Sequence, residues 1–377
     1  MLIDEFFYFY AWSYLVIKDA KITIRGLLYQ QSKYTISKEF QQLFMNWSAW
    51  KLFIDTQPAF RQRQINHAVF KELAANWSAV SVLPLKDRQW LETNCPLDIN
   101  YTLSGKETDP AQKARIVLAD GLTIETVIMH YGTGRQIVCL SSQVGCPLGC
   151  AFCQTGQQGF KRNLTAGEII EQALLWQRLL APAGQHINNL VFMGMGEPLL
   201  NLPQVLEGVE WLHSPSALDI GWRHVAISTV GLMPELKHLL NYGQQIKIAW
   251  SLHAPEDKWR DQLMPINRRY SLAVLKPIFR EYVIKTNRRL MIEYLLLDHI
   301  NDQLEQAEEL ANFLADFPKN LLLINLLNYN PGVGNFHPSS SRTREAFIKF
   351  LEKRGYKVTT RLSLGQDILG ACGQLGI

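Results

Sequence analysis

The sequence has few cysteines, no apolar run long enough to span a bilayer, and no large excess of charge of one sign. Six cysteines in 377 residues are too sparse for the disulfide scaffold of a secreted protein. The apolar run near the start has about a dozen residues, fewer than a membrane-spanning helix needs, and it follows Asp4 and Glu5 instead of the basic residues of a signal peptide. A net charge of +4 permits a polyanionic partner without requiring one. These features predict a cytoplasmic protein without a membrane partner.

Two stretches precede the conspicuous motifs. For residues 1–44, three interpretations stand: an added helix or hairpin, a membrane-surface segment, or translated upstream sequence with Met45 as the true start. From about residue 57 to 95, apolar side chains recur every three to four residues, as on one face of a helix, and "PLKDRQWLETN" predicts a second short helix. The predicted organisation is an extension over 1–55, a small helical accessory domain over 56–100 and a core over 101–377.

Apolar and polar side chains alternate on both sides of a turn at Asp120-Gly121, and this pattern predicts a β-hairpin over residues 114–131. After it, strand-like runs alternate with helical stretches: "RQIVCLS", "NNLVFMG", "RHVAIS", "IKIAWS", "RLMIEYLL" and "LLLINLLN". Six βα units in succession predict an α/β fold with a parallel sheet buried on both faces. A partial six-unit (β/α) barrel and a doubly wound sheet both accommodate this order.

In either architecture, the working residues lie beyond the carboxyl ends of the strands. The loop after the first of these strands carries Cys146, Cys150 and Cys153 in a CxxxCxxC spacing. Three thiolates within eight residues can bind one face of a four-iron cluster and leave one iron open for a substrate. A zinc site is the alternative, but it needs a fourth ligand nearby, and no Cys or His follows in the loop. Buried structural cysteines are a further alternative.

The CxxxCxxC spacing, with an aromatic residue before its last cysteine, resembles the radical S-adenosylmethionine (SAM) superfamily. Further stretches are similar to the RlmN/Cfr family, whose members methylate an adenine of bacterial ribosomal RNA. These stretches are "CLSSQVGCPLGCAFCQTGQQGFKRNLTAGEII", "FMGMGEPLLN", "ISTVGLMPEL", "SLHAPEDKWRDQLMPIN" and "DILGACGQL". The similarity runs from about Gln57 to Gln374, and the first 44 to 55 residues fall outside it.

The resemblance implies a radical SAM barrel with one [4Fe-4S] cluster on the three cysteines, and two SAM molecules for each turnover. The residues that it implies as SAM contacts are Gly196, Glu197, Ser228, Ser251, Leu252, His253 and Asn330. Glu197 follows a glycine-rich strand end and is expected to accept a hydrogen bond from the ammonium group of SAM. For His253 alone, a core or capping histidine would be the ordinary interpretation.

The resemblance also implies roles for two further cysteines and a glutamate. Cys372, in "GACGQL", matches the cysteine that carries the methyl group, and Cys139, in "VCLSSQVGC", matches the one that releases the product by forming a disulfide. Glu125, in "IETV", matches the general base, although the stretch to Cys139 is one residue longer here. The glycines around Cys372 lead us to expect a thiol that swings between the cluster and the RNA base.

The implied substrate is 23S rRNA, with tRNA as a second substrate, and the target base must leave its stack to reach the cluster. The implied electron donor is a protein such as flavodoxin, and the implied state is a monomer. "QQGFKRNL" favours methylation at carbon 2 of the adenine over carbon 8, the Cfr-like alternative, while "NYNP" departs from the carbon 2 group. A non-methylating iron–sulfur RNA-binding protein is the alternative from another class.

Overall fold

The computed structural model describes residues 46–376. The interpretations of residues 1–44 and the proposed start at Met45 lie outside the described residues. Within residues 46–376, no helix has the length and apolar character needed to cross a membrane. The predicted boundaries at residues 55 and 100 stay predictions.

Three helices begin the described part of the chain: α1 (Trp47–Asp55), α2 (Ala59–Phe70) and α3 (Leu85–Asn94). The Asn46 side chain accepts a hydrogen bond from the Ala49 amide and so caps α1. Trp50 and Trp77 are fully buried, with ring centroids 5.6 Å apart. The two predicted helices of this region are confirmed, and their small core depends on tryptophan packing.

The remaining elements follow the predicted alternation. The strands are β1 (Tyr101–Ser104), β2 (Ala111–Val117), β3 (Thr123–His130), β4 (Gln136–Cys139), β5 (Gln143–Gly145), β6 (Phe160–Asn163), β7 (Asn189–Phe192), β8 (Val225–Thr229), β9 (Lys247–Ser251), β10 (Leu290–Leu296), β11 (Leu322–Asn328) and β12 (Val358–Arg361). The helices after α3 are α4 (Gln154–Gln157), α5 (Ala166–Leu180), α6 (Leu202–His213), α7 (Glu235–Asn241), α8 (Asp257–Leu263), α9 (Leu272–Thr286), α10 (Leu304–Phe313) and α11 (Ser341–Lys353).

Ten of these strands form one sheet in the order β1-β2-β3-β4-β7-β8-β9-β10-β11-β12. Strands β1 to β4 pair antiparallel, and β4 and β7 to β12 pair parallel. Because the parallel strands follow chain order without a reversal, the sheet is a partial barrel and not a doubly wound sheet. The six predicted parallel strands and the hairpin are confirmed, and β12 is a parallel strand that the sequence did not reveal.

The parallel strands are buried on both faces, as their continuous apolar runs predicted. In β10, six of the seven residues are buried and the other is half-buried. Helix α5 shows how the outer layer is attached: Thr165 and Glu168 form a capping box at its start, and eleven of its fifteen residues are buried. The core therefore lies on both sides of the sheet, and the carboxyl ends of β4 and β7 to β11 share one edge.

Candidate active site

The three cysteines of the CxxxCxxC stretch lie in a loop that is shaped by the short antiparallel pair β5 and β6. Gly145 ends β5 at φ +74°, and a Cβ there would meet the Gly159 carbonyl oxygen at 1.8 Å, so only glycine fits. Cys146, Cys150 and Cys153 then line one cleft at the carboxyl edge of the parallel strands. The predicted convergence of the loop on the strand ends is thus observed.

The cleft suits a cluster held by thiolates. It is an open concavity that is lined by the three thiols and by polar groups from several strand ends. Burial raises the pKa of Cys146 to about 12 and raises the pKa values of Cys150 and Cys153, so these thiols require a bound cation to ionise. In the described part of the chain, no group of three His, Cys, Asp or Glu side chains lies close enough together to bind a single metal ion. Three thiolates that each bind a different iron of a four-iron cluster can lie farther apart than three ligands of one ion.

Gly196 and Glu197 bring a carboxylate to the cleft wall after β7. Gly196 has φ +95°, and a Cβ there would meet the Gln143 Cβ at 2.5 Å. The Glu197 carboxylate accepts hydrogen bonds from the Leu199 amide at 3.1 Å and from the Val230 amide at 3.2 Å. Burial nevertheless raises the pKa of Glu197 to about 7. A cationic amine in the cleft would compensate this buried carboxylate.

Polar side chains from three other strand ends line the same cleft. Ser228 and Ser251, at the ends of β8 and β9, lie with their hydroxyl oxygens 3.1 Å apart. Asn330 follows β11 and donates to the Cys372 carbonyl oxygen at 3.0 Å. Within residues 46–376, Asn330 Oδ1 and Glu293 Oε2 are buried without a hydrogen-bond partner, and both residues line the cleft. Unsatisfied acceptors beside the three thiols suit a ligand that carries N–H and O–H donors, as SAM does.

Leu252 and His253 occupy different environments, although the sequence placed them in one motif. The Leu252 side chain is fully buried, and it is not among the residues that line the cleft. His253 lines the cleft at φ +59°, and its Nδ1 accepts a hydrogen bond from the Leu295 amide at 3.1 Å. Burial lowers the pKa of His253 to about 3, which leaves the ring neutral with its proton on Nε2.

Cys372 lies where two cavities meet. It lines the cleft of the three thiols, and it also lines a second, smaller cavity together with Cys139. Cys139 is the last residue of β4 and is 6% exposed, whereas Cys372 is exposed. Burial raises the pKa of Cys139 to about 12, and the nearby Cys372 adds to the shift. The structure therefore brings the two matched cysteines together beside the three-thiol cleft.

Glu125 is buried in β3 and not solvent-facing. Its carboxylate forms an ion pair with Lys113 of β2, with Oε1 at 2.9 Å from Nζ, and both side chains are less than 10% exposed. Its Oε2 accepts a hydrogen bond from the Gly376 amide at 2.7 Å. Glu125 thus contacts the same C-terminal segment that carries Cys372.

The C-terminal tail, residues 365–376, packs against the end of the cysteine loop. The Gly373 carbonyl oxygen accepts from the Gln154 amide at 2.8 Å, and the Leu375 carbonyl oxygen accepts from the Thr155 hydroxyl at 2.7 Å. Ala371 and Leu375 are buried. The expected swinging thiol is therefore held on the cysteine loop, because the tail backbone satisfies its polar groups there.

Two arginines of the site were not found from the sequence. Arg361, at the end of β12, lines both cavities, and the nearby Cys372, Glu293 and Cys139 raise its pKa. Arg260, in α8, is fully buried and donates to the Leu252 and Val230 carbonyl oxygens at 3.2 and 2.8 Å. Arg260 thus connects the residues that follow β8 and β9 by hydrogen bonds. The "APEDKWRDQL" stretch, which contains Arg260, therefore stabilises these two strand ends.

Comparisons with known proteins agree on one family. Residues 140–314 match the model of the radical SAM superfamily. The "Probable dual-specificity RNA methyltransferase RlmN" of Carboxydothermus hydrogenoformans is 39% identical over 330 residues, which is 87% of this chain and 94% of the relative. The protein of the same name from Chlorobium phaeovibrioides is 41% identical over 330 residues, covering 85% of this chain and 87% of the relative.

A solved structure supports the same assignment. The crystal structure of a radical SAM methyltransferase from Sphaerobacter thermophilus superposes with a TM-score of 0.82 at 39% identity, covering 89% of this chain and 98% of that one. The radical SAM family implies an iron–sulfur cluster and SAM, for which the cleft has suitable residues. The chain therefore belongs to the RlmN-type family of radical SAM RNA methyltransferases, and is a SAM-dependent RNA-modifying enzyme.

Proposed function

We propose that this enzyme methylates carbon 2 of an adenine in 23S rRNA, and also of a tRNA adenosine, through a methylated Cys372. The observation that carries the proposal is the position of Cys372 between the cleft lined by Cys146, Cys150 and Cys153 and the cavity lined by Cys139. A carrier thiol must reach both a methyl donor and a second thiol. Its place at the junction of the two cavities supports that role.

The cofactor residues follow from the same cleft. Cys146, Cys150 and Cys153 would hold one [4Fe-4S] cluster. The residues that would contact SAM are Gly196, Glu197, Ser228, Ser251, Leu252, His253 and Asn330, with Leu252 contributing through its backbone because its side chain is in the core. When bound, the cluster and SAM supply a methyl group and, from a second SAM, the radical that removes a hydrogen atom from the S-methyl group.

The chain's own residues account for the remaining steps. Cys372 joins to the base through its S–CH₂ group, which gives a covalent bond between protein and RNA. Glu125 takes the proton from the base carbon, and the unpaired electron that the radical addition leaves on the base would be accepted by the oxidised cluster. Cys139 then attacks the Cys372 sulfur, so that an S–S bond forms, the S–CH₂ bond breaks, and its electron pair, with a proton, completes the new methyl group. An external reductant must then restore the two thiols.

Carbon 2 is preferred over carbon 8 because "QQGFKRNL" and "MGMGEPLLN" resemble the carbon 2 group of the family, although "NYNP" and "DILGACG" depart from it. Carbon 8 methylation and a non-methylating RNA-binding protein are the competing functions. An electron donor such as flavodoxin, a monomeric state and a cytoplasmic location complete the proposal.

The deciding experiment is mass spectrometry of the RNA nucleosides of a deletion strain that is complemented with this gene. We expect 2-methyladenosine to appear in 23S rRNA and in tRNA, and to be absent when the complementing gene carries Cys372→Ala. Formation of 8-methyladenosine would overturn the proposed position. A Cys372 peptide that never carries a methyl or methylene group in the active enzyme would overturn the carrier role.

A further inference from the structure

A buried ion pair outside the cleft contacts the tail on both sides of Cys372. Lys113 lies opposite Val127 in the pairing of β2 with β3, so it is diagonal to Glu125 and on the same face of the hairpin. Lys113 Nζ lies 2.9 Å from Glu125 Oε1, and the two side chains are 9% and 4% exposed. Since a buried charge is stable only with a partner, each of these residues fixes the other.

Each partner of the ion pair also contacts the tail backbone, one on each side of Cys372. Lys113 Nζ donates to the Leu369 carbonyl oxygen at 3.3 Å, and Glu125 Oε2 accepts from the Gly376 amide at 2.7 Å. Leu369 precedes Cys372 by three residues, and Gly376 follows it by four. One ion pair therefore clasps the tail before and after the reactive thiol.

The backbone of Leu369 shows that this clasp holds the tail in a shape that its own sequence does not favour. Leu369 has φ +52°, a conformation that costs a leucine free energy, and its side chain is 40% exposed. A half-exposed side chain offers little packing in compensation. The hydrogen bond from Lys113 to the Leu369 carbonyl oxygen does offset the cost, which gives Lys113 a purpose beyond stabilising its hairpin.

The clasp also occupies the carboxylate that the proposed function needs as a base. Glu125 Oε1 accepts from Lys113 and Oε2 accepts from Gly376. A general base must be within hydrogen-bond reach of the proton it removes. Each carboxylate oxygen keeps a second lone pair, but the Glu125 side chain is only 4% exposed, so a base carbon can reach it only after the surrounding structure moves. The Gly376 contact can open by movement of the tail alone, without breaking a buried ion pair.

We propose that Lys113 is a positioning residue that keeps the tail docked while Cys372 is loaded, and keeps Glu125 in place when the tail leaves. This inference rests on the proposed function and deepens it. A docked tail and a free Glu125 exclude each other, so that methyl loading and proton removal occur in different tail positions. The Gly376 amide is the contact that separates the two states.

The test is hydrogen–deuterium exchange of the tail in the anaerobic, cluster-loaded, full-length enzyme. Lys113→Met should speed exchange of the tail peptide, including the Gly376 amide, at least about tenfold, because the loss of one hydrogen bond to a charged group weakens docking by about that factor. Lys106→Met, which removes an exposed lysine before the same strand, should leave exchange unchanged. Lys113→Arg, which keeps the charge, should restore most of the protection.

A second measurement tests the exclusion of the two states. In the covalent protein–RNA adduct that accumulates in Cys139→Ala, the Gly376 amide should exchange at least about tenfold faster than in the same variant without RNA, as the loss of its hydrogen bond requires. A Gly376 amide that stays protected in the adduct would overturn the exclusion.

Unchanged tail exchange in Lys113→Met would overturn the positioning role. If Lys113→Met does not fold, Lys113→Gln is the substitute, because its side chain is uncharged and one bond shorter than that of lysine, and wild-type protection in that variant would count equally against the proposal. A wild-type enzyme that makes no methylated adenine would overturn the proposed function only, since the exchange difference between Lys113→Met and Lys106→Met does not depend on turnover.

Discussion

At the scale of single residues, environment separates two cysteines that look alike. Cys95 and Cys139 are both buried, and burial raises the pKa of each to about 12. Cys95 receives no other charge effect, and its sulfur lies 3.8 Å from the carbonyl oxygen of Asn46, the residue that caps α1. Cys139 shares a cavity with Cys372 and Arg361. Only Cys139 has a thiol partner and a neighbouring guanidinium that favours its thiolate.

We expect Cys139→Ala to accumulate protein joined covalently to RNA, because no second thiol remains to displace Cys372. Denaturing gel electrophoresis with labelled RNA should show the adduct at least tenfold above wild type, a difference of about 1.4 kcal/mol in its breakdown barrier or more. Cys95→Ala is the matched control and should release product normally. Equal adduct levels in the two variants would contradict the resolving role of Cys139.

His253 gives a pH dependence whose sign follows from its burial. Its pKa falls from an ordinary 6.5 to about 3 in the folded protein, so the unfolded chain binds the proton first as the pH drops. The stability that the neutral ring contributes is complete above pH 6.5 and is lost as the pH falls towards 3. Burial raises the pKa of Glu197 to about 7, which acts in the opposite direction over part of this range.

Comparison with His253→Asn isolates the histidine. Asparagine tolerates the positive φ of this position and can still accept from the Leu295 amide. Between pH 6.5 and pH 5, the wild-type free energy of unfolding should fall relative to the variant by about 1.6 kcal/mol. Each pH unit corresponds to about 1.4 kcal/mol once the unfolded histidine is fully protonated, and at pH 6.5 it is half protonated. Anaerobic denaturant unfolding at both pH values measures the difference. A constant gap would show that the ring is protonated or exposed when folded.

Among the structural elements, the turn after β7 depends on Gly196, because both its positive φ and the lack of space for a Cβ require glycine. Gly196→Ala adds the cost of φ +95° and a clash with the Gln143 Cβ at 2.5 Å, and the shift would displace Glu197 from the cleft wall. SAM binding should weaken roughly tenfold or more, as the loss of about 1.4 kcal/mol requires. Equilibrium dialysis of the cluster-loaded protein with SAM measures this effect.

Gly243→Ala is the matched control for Gly196→Ala. Gly243 has φ +86° but no atom within 4 Å of its Cβ position. The backbone cost is of similar size, about 1–2 kcal/mol for an L-residue in this region, while the crowding is absent. Unchanged SAM affinity in both variants would show that Glu197 does not take part in binding.

The sequence predicted the elements whose signals are local and missed those that depend on distant partners. The runs of β4 and β7 to β11 are continuously apolar, and each is followed by a helical repeat, so six strands were evident. Strand β12 (Val358–Arg361) reads "VTTR", with two exposed residues, and only its pairing with β11 makes it a strand. The short strands β5 and β6 pair with each other across the cysteine loop. No periodic pattern of apolar residues in the sequence predicts this pair.

The same reasoning applies to the site. Cysteine spacing and strand-end motifs placed the three thiols and Glu197 in one region, and the resemblance to the RlmN/Cfr family added the two matched cysteines. Lys113 and Arg361 could not be found this way, since an isolated cation in a strand carries no signal until the fold supplies its partner. The Lys113 to Leu369 contact spans 256 residues, and the Gly376 to Glu125 contact spans 251. Such pairs are products of the topology.

At the scale of the whole molecule, the end of the chain supports the loop that begins the barrel. Residues Gly373 and Leu375 of the tail accept hydrogen bonds from Gln154 and Thr155, directly after Cys153. A protein truncated after Leu364 keeps β12 and the rest of the sheet. It should lose its cluster to a chelator several-fold faster than Cys372→Ala, because two hydrogen bonds of about 1 kcal/mol each are removed.

The visible absorbance of the cluster, followed after addition of the chelator, gives the two rates. Cys372→Ala is the control, since it removes the thiol and keeps the tail backbone. Equal rates in the two proteins would mean that the tail is a carrier of Cys372 and nothing more. A faster loss only in the truncated protein would assign the tail to the stability of the cluster loop.

The two-point attachment of the tail also sets a length scale. If the Gly376 amide leaves Glu125 while the Leu369 carbonyl stays on Lys113, three residues separate the pivot from Cys372. Three residues of extended chain reach about 10 Å at 3.3–3.6 Å each. This radius is of the order needed to carry a thiol between adjoining cavities. The tail would then work as a tether of fixed reach, which keeps a covalently held base beside the thiol that must release it.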